Sequence, residues 1–414
     1  MNKTSNWHGP KQIKVMIFTA IAMLIGACLS GGSTNTILPV IAEKYAWDVQ
    51  ILRTWAGIGT CLVVVGSFCF TRLIIKKGSK LAMNISLLIT AVFCVIYGWT
   101  GTYPLFICSI LVISIMAGGY YQAGVANLTA NWWPTKKGVV LGITTMAIPL
   151  MDIVWQPFIP VAFHRFGTGI TMTVVAILIV IFMICGLGIK NTPEEAGEYP
   201  DGDSENAEDI AAVVEEMRAY KSPFTLGKIV RTPAAWAIAV SMGLCFMVAM
   251  TYIASIVPRM LSVGYQYPQA TTMLIACGVA AMIGSYVIGL IDQKVGTKKA
   301  DIMFCCLIMV GIILGLFHAK SLAICWVASI IFSASNGGCG NLIPSSIATV
   351  FGRWDYASAY NFIGPITSLC AGLGVILSSV FPSYDMLYKF DIVLLVIALV
   401  IMIFTKYKMI GKKG

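Results

Sequence analysis

Charge is scarce in this chain of 414 residues: only 11% are Asp, Glu, Lys or Arg, against 58% from the apolar set, and the mean hydropathy is +0.84. A domain that stays in water carries about 25% charged residues, so the composition excludes a soluble enzyme, a nucleic-acid-binding module and a disordered chain. Histidine is scarcer still. The three present, His8, His164 and His318, flank apolar segments without clustering, and no C-x-x-C pair or Cys/His zinc spacing occurs, so neither a metal site nor a cofactor is expected. G-x-x-x-x-G-K-[ST], H-E-x-x-H and G-x-S-x-G are also missing. Their absence removes a self-contained ATP-driven pump and leaves a polytopic membrane enzyme without a nucleophile or base constellation. The 13 cysteines all lie inside apolar runs and read as free packing thiols.

What the chain does have is long apolar runs. A helix needs about 20 apolar residues to cross the hydrocarbon layer. Twelve such stretches are expected, at 13–41, 50–75, 80–101, 103–132, 137–163, 167–190, 233–260, 268–292, 299–318, 321–350, 355–381 and 385–406. The expected fold is therefore an all-α integral membrane protein. Ile25-Gly26-Ala27-Cys28 imitates a lipoprotein cleavage box, but the apolar run continues to Val40 and eleven spans follow, so no cleavage is expected.

Lysine and arginine set the orientation. With both ends cytoplasmic, the inner side holds 22 of the 28, and the outer side only Lys44, Arg53, Arg165, Arg259, Lys320 and Lys389. That asymmetry points to a multi-pass protein of the plasma membrane, in contact with lipid headgroups and not with nucleic acid. The longest hydrophilic segment, 191–232, contains ten of the eighteen acids and divides the spans six and six. Its Ile210, Val213, Val214, Met217 and Tyr220 recur at helical spacing opposite Glu208, Asp209, Glu215 and Glu216, which predicts a short amphipathic helix. The expected division is an N-terminal bundle 1–190, an acidic linker 191–232 and a C-terminal bundle 233–414.

The halves repeat. Gly66-Ser67 and Gly78-Ser79 recur 218 residues later as Gly284-Ser285 and Gly296-Thr297; Pro39 and Pro258, and Gly118-Gly119 and Gly337-Gly338, are 219 apart. Landmarks at one offset predict two pseudo-symmetric six-helix bundles about an axis along the membrane normal, with a cavity between them near the midplane. At the loops after spans 2 and 8, Gly allows tight turns and close helix approach, while cations can reach helix C-terminal carbonyls or acids of neighbouring spans. Gly66, Arg72, Lys76, Lys77, Gly78, Lys136, Lys137, Gly289, Asp292, Gly296 and Lys298 are accordingly candidates for a cytoplasmic latch. The same cations would also satisfy the positive-inside rule alone. Asp292 would not, because an acid in a basic loop gains nothing from it.

At these residues the chain resembles the major facilitator superfamily of transporters over essentially its whole length. Gly289, Asp292, Gly296, Lys298 and Lys299 are similar to the superfamily's Gly, acidic, basic loop signature, whose acidic member is missing after span 2. Trp132-Trp133-Pro134-Thr135-Lys136-Lys137-Gly138 and Thr192-Pro193-Glu194-Glu195-Ala196-Gly197 resemble the monocarboxylate transporter and oxalate/formate antiporter branch. The resemblance implies transport by alternating access. Relatives in that branch bury a cation in span 8 or 11; neither span has one here, which argues against a dicarboxylate.

For a binding site, Asp152 is the one acid read as lying deep in a span, about 22 Å along the helix from Lys137. An ionised carboxylate facing lipid there would cost several kcal/mol, so it is expected to face a cavity, find a partner or hold a proton. Trp155 and Gln156 at i+3 and i+4 share its face. A capping role beside Pro149 is the structural alternative. Tyr120 and Asn127 in span 4, Asn336 and Asn341 in span 10, Asn35 in span 1, Tyr252 in span 7 and Asn361 in span 11 are further candidates, since polar faces inside membrane helices line wet cavities or glue helices together. The expected activity is secondary transport of a small organic solute, with a monocarboxylate or other organic anion favoured and a proton coupled through Asp152. The alternative is a facilitator or exporter of a neutral or amphipathic solute without proton coupling. A monomer is expected.

Overall fold

In the computed structural model residues 9–29, 34–202, 215–216 and 219–411 are described, with the backbone alone at 34–36, 267, 271 and 379. Hydrocarbon offers no partner for a backbone N–H or C=O, so a chain of this composition satisfies them within helices. Span 1 comprises Pro10–Leu29 and Thr34–Tyr45, followed by span 2 Val49–Lys77, span 3 Ser79–Trp99, span 4 Tyr103–Trp132, span 5 Lys137–Phe166 and span 6 Thr168–Cys185. The second half gives span 7 Pro233–Ser262, span 8 Tyr267–Val295, span 9 Thr297–Gly315, span 10 Leu322–Asn336 with Cys339–Phe351, span 11 Tyr356–Val380 and span 12 Tyr384–Phe404. Eleven of the described helices are long and apolar enough to cross a membrane. Span 9 is the exception, because Lys298, Lys299 and Asp301 crowd the start of a helix only 19 residues long.

The packing follows the repeat. A Cβ on Gly66 would overlap the Ile115 carbonyl, and one on Gly284 would overlap that of Ala334. One on Gly118 would strike the Ser67 amide; one on Gly337 would strike the Ala281 carbonyl. Span 2 thus crosses span 4 as span 8 crosses span 10, backbone against backbone, and only glycine permits it. Gly78 (φ 88°) and Gly296 (φ 94°) turn the chain between spans 2 and 3 and between spans 8 and 9 in one conformation that L residues rarely adopt. Apolar side chains collect in two large cores, one around Phe106, Tyr120 and Trp132, the other around Phe304, Phe332 and Phe351. On the opposite faces Val154, Phe158, Val161, Ile177 and Leu178 are more than half exposed, as a lipid-facing belt requires.

Two helices are deformed where polar residues cluster. Span 4 widens to a π-helix over Gly118–Gly124, and span 5 does so over Met151–Trp155, just after Pro149. Such widened turns concentrate at functional sites. Most of the expected amphipathic helix, including Ile210, Val213, Val214 and Met217, lies outside the described residues.

Gly284→Ala is expected to destabilise the purified protein by about 1–3 kcal/mol, since the Ala334 backbone has nowhere to go. Gly227→Ala, with nothing within 4 Å of its Cβ, should leave the thermal midpoint unchanged.

Candidate functional site

The bundles meet backbone to backbone where span 5 lies on span 8. A Cβ on Gly142 would come within 2.9 Å of the Ser285 carbonyl oxygen and 3.1 Å of the Gly289 Cα, and Gly138 faces the Gly289 carbonyl. Alongside, the hydroxyls of Thr145 and Ser285 meet at 2.6 Å, and Ser285 donates to the Gly142 carbonyl at 2.9 Å. Two turns further along span 5 the same seam receives Asp152. Its Oδ1 accepts from Gln156 Nε2 at 2.5 Å, and its Cβ stands 3.2 Å from the Cβ position of Gly278 on span 8. The thiols of Cys28 on span 1 and Cys277 on span 8 lie within its electrostatic reach. Asp152 therefore points between the bundles, opposite the lipid-facing Val154 and Phe158.

Several polar groups among the candidates are unpaired. Gln156 Oε1 and Trp155 Nε1 are buried without a hydrogen-bond partner. On span 10, Asn341 Nδ2 donates to the Ser285 carbonyl at 2.9 Å while its Oδ1 has no partner, and Asn336 Oδ1 has none either. Asn361 Oδ1 on span 11 is likewise unbonded. Gln122 on span 4 accepts from Ser368 of span 11 at 2.6 Å, a bridge between bundles.

Other candidates are placed differently. Tyr120 is fully buried in the N-terminal core; the residue at the centre is Tyr121, packed on Gly26 of span 1 and within reach of Cys339 and Tyr360. The π-turn shifts the register by one position. Asn127 donates to Ser79 at 2.7 Å and ties span 4 to the start of span 3, so it serves as helix glue. Asn35 lies in the Thr34–Tyr45 helix, with its side chain outside the described residues. Tyr252 is sealed within the C-terminal bundle.

That last residue exposes a cation the sequence reading put near the outer end of span 7. Arg259 is wholly buried. It donates to Tyr388 Oη at 2.8 Å and Tyr252 Oη at 3.2 Å, with Ser329, Cys325 and Gly315 around it. Spans 7, 9, 10 and 12 thus enclose it, and its charge reaches the Cys277 thiol on span 8. The seven-residue spacing from Tyr252 to Arg259, two helical turns on one face, was the available signal. Nor is Asp152 the one acid inside a span: Asp391 in span 12 is fully buried with neither oxygen bonded, and Asp301 at the start of span 9 accepts from Ser346 Oγ and Tyr407 Oη, each at 2.7 Å.

The face that carries both chain ends is held shut. Lys137 Nζ reaches across to Thr349 Oγ1 at 2.7 Å, within electrostatic reach of Asp292 and Asp301. Asp292 accepts from Ser345 at 2.5 Å and abuts Gly138 at the start of span 5. Lys298 reaches the Ile403 carbonyl at the end of span 12 at 2.8 Å, a contact inside one bundle. Arg72, Lys76 and Lys77 are exposed; Arg72 lies 4.0 Å from the Phe68 ring centre, and none of the three bonds across the bundles among the described residues. Lys136 contributes its backbone amide. That N–H and the N–H and hydroxyl of Thr135 hold the Asp201 carboxylate, whose burial keeps it above the ordinary carboxylate range while these donors pull it back. Glu194 forms a buried ion pair with Arg353 at 2.6 Å, and Tyr220 and Ser222 both donate to Asp355. The acidic segment after span 6 is thereby strapped to the ends of both bundles.

A family model described as Major Facilitator Superfamily matches residues 19–375. A search of curated protein sequences finds no match. Among solved structures, the proton:xylose symporter XylE bound to 6-bromo-6-deoxy-D-glucose superposes with a TM-score of 0.71 at 14% identity, over 96% of this chain and 97% of its own. The human organic anion transporter MFSD10 (TETRAN) gives 0.68 at 13% identity, over 95% of this chain and 100% of its own. At these identities the likeness is one of fold.

Removing one member of a buried ion pair strands the other, at a cost of about 3–5 kcal/mol. Glu194→Gln and Arg353→Met are each expected to lower the thermal midpoint, and the double variant should recover much of the loss in a double-mutant cycle.

Proposed function

The chain belongs to the Major Facilitator Superfamily, and from that premise we propose that it is a secondary active transporter that moves a small organic solute by rocking its two bundles, with Asp152 as the proton site. One observation carries the reading: the carboxylate lies on the seam that must open and close, not inside either rigid bundle. A group there changes its solvation with each half-cycle, and an ionised carboxylate deprived of water gains strongly from a proton. The polar bonds between the bundles support a state closed at the face with both termini, since Lys137–Thr349 and the Thr145–Ser285 contact lie in that half and Gln122–Ser368 near the middle. We assign that face to the cytoplasm of a plasma-membrane protein. The Lys and Arg count, 22 on that side against six on the other, supports the assignment.

The resemblance to the oxalate/formate and monocarboxylate branch rests on loop motifs, and loops do not select a substrate. The preference for an organic anion is not carried further. Arg259 offers a buried cation, but it is bonded to Tyr388, Tyr252 and Ser329 and not to Asp152.

In proteoliposomes, Asp152→Asn should reduce accumulation driven by a pH gradient by about tenfold or more while leaving gradient-free counterflow measurable. Equal gradient-driven accumulation in the variant would reject the proton role and favour a facilitator.

A further inference from the structure

We infer that residues 191–202, the acidic segment after span 6, are a strap that rides on the N-terminal bundle and locks the terminal face by reaching one side chain, Glu194, across to the C-terminal bundle. The inference rests on the rocking-bundle reading and names what holds one of its two states.

The segment is seated on the N-terminal bundle at both ends and in the middle. Just before it, the Trp132 indole N–H at the end of span 4 donates to the Lys190 carbonyl at 3.2 Å. At its start Asn191 Oδ1 accepts from the Lys80 amide at 2.8 Å, against the turn between spans 2 and 3. In the middle Lys11 of span 1 donates to the Ala196 carbonyl at 2.7 Å and pairs with Glu198 at 3.2 Å, while Ala196 packs on the N-terminal core. At its end the Asp201 carboxylate accepts from the Thr135 amide at 3.0 Å, the Thr135 hydroxyl at 2.9 Å and the Lys136 amide at 2.8 Å, all in the turn between spans 4 and 5. Internal bonds keep the segment compact. Glu195 accepts from the Asn191 amide at 3.1 Å, and the Glu198 amide donates to the Pro193 carbonyl at 2.9 Å around Gly197, whose φ of 70° makes the turn. A segment pinned in this way moves with the bundle beneath it.

Glu194 leads the other way. Its carboxylate meets Arg353 Nη2 at 2.6 Å in the turn between spans 10 and 11, and each side chain is only 3% exposed. The terminal face therefore cannot part unless this pair breaks or the strap leaves its seat. The pair belongs to the closed state alone, because an open face lets water reach both charges. Removing one partner strands the other in the closed state and leaves the open state unchanged, so a single substitution tips the balance towards opening; removing both relieves the closed state again. Asp201 acts through Glu194. Its partners lie on the N-terminal bundle, yet it fixes the end of the segment that holds Glu194 in reach, which makes it a positioning residue for the lock.

Backbone hydrogen exchange, followed by mass spectrometry on the purified full-length protein well below the melting temperature of each variant, reads the opening without any solute. In Glu194→Gln and in Arg353→Met, peptides from the terminal half of the seam, 137–145 and 285–296, are expected to exchange about tenfold faster or more than in the parent, while 325–333 inside the C-terminal bundle stays unchanged. The double variant should return towards the parent. Asp201→Asn should give the single-variant pattern, with no further rise when combined with Glu194→Gln, since both release one strap; it also carries the test should Glu194→Gln fail to fold. The inference is overturned if the seam peptides exchange at the parent rate in the single variants, if all peptides accelerate together, if the double variant stays as fast as the singles, or if Asp201→Asn accelerates only 191–202. Rocking is read separately in the outer halves of spans 5 and 8, at 152–163 and 268–278, where exchange should slow as the terminal face opens. A fast terminal face with an unchanged outer half keeps the strap and rejects the rocking; a slow terminal face in every variant rejects the strap and leaves the transporter reading to the Asp152→Asn assay.

Discussion

Two backbones come into contact where spans 5 and 8 cross, with only the small Ser285 and Thr145 hydroxyls and the Asp292 carboxylate beside them. Gly138 and Gly142 on one helix and Ser285 and Gly289 on the other bring main-chain atoms into direct contact. Lipid tails are as apolar as leucine, so no hydrophobic force pulls the helices together; close packing and a few hydrogen bonds must do so. A glycine surface is also smooth. It lets one bundle tilt on the other without first withdrawing interlocked side chains. The position of Asp152 follows, because a helix that hugs its partner at Gly142 carries the next three turns along the same line to Gly278.

Burial of polar groups then separates the seam from the bundle interiors. Inside the C-terminal bundle Arg259 has two tyrosine hydroxyls and a serine around its guanidinium, a fixed setting in a wall of aromatic rings where Tyr252 stacks on Phe332. The unpaired oxygens of Gln156 and Asn341 lie instead on helices from opposite halves. An unsatisfied buried acceptor costs about 1–3 kcal/mol, a cost borne on these helices and also inside span 12, where Asp391 has neither oxygen bonded.

The glycine repeat made the architecture legible from sequence, because a position where two backbones meet tolerates a single residue type and the offset of 218–219 reads directly. Asp152 with Gln156 was legible as well, since an acid in an apolar run has few places to go. Helical periodicity failed where the helix itself changed. Choosing Tyr120 over Tyr121 assumed 3.6 residues per turn through Gly118–Gly124, where the π-turn adds a residue. Asn127 was indistinguishable from a cavity residue because an amide that glues helices and one that binds a solute have the same spacing; only its partner, Ser79, separates them. Arg259 does lie in the last turn of span 7, as counting from the helix end implies, but its burial does not follow from that count, and the ion pair of Glu194 with Arg353 joins residues 159 apart that no local pattern connects.

The repeat also shows where symmetry was abandoned. The offset that equates Gly78 with Gly296 sets Ile74 against Asp292, and the one that equates Gly118 with Gly337 sets Lys137 against Tyr356. One corner of the terminal face therefore closes on charge, with Asp292 beside Gly138 and Lys137 reaching to Thr349. Its pseudo-equivalent closes on apolar contact, with Ile74 and Tyr356 buried in one cluster. Charge weakens in rising dielectric, whereas apolar burial strengthens as water is excluded. Water entering from the terminal face would loosen the first corner before the second, so the two bundles would part by pivoting about spans 2 and 11 and not by separating evenly.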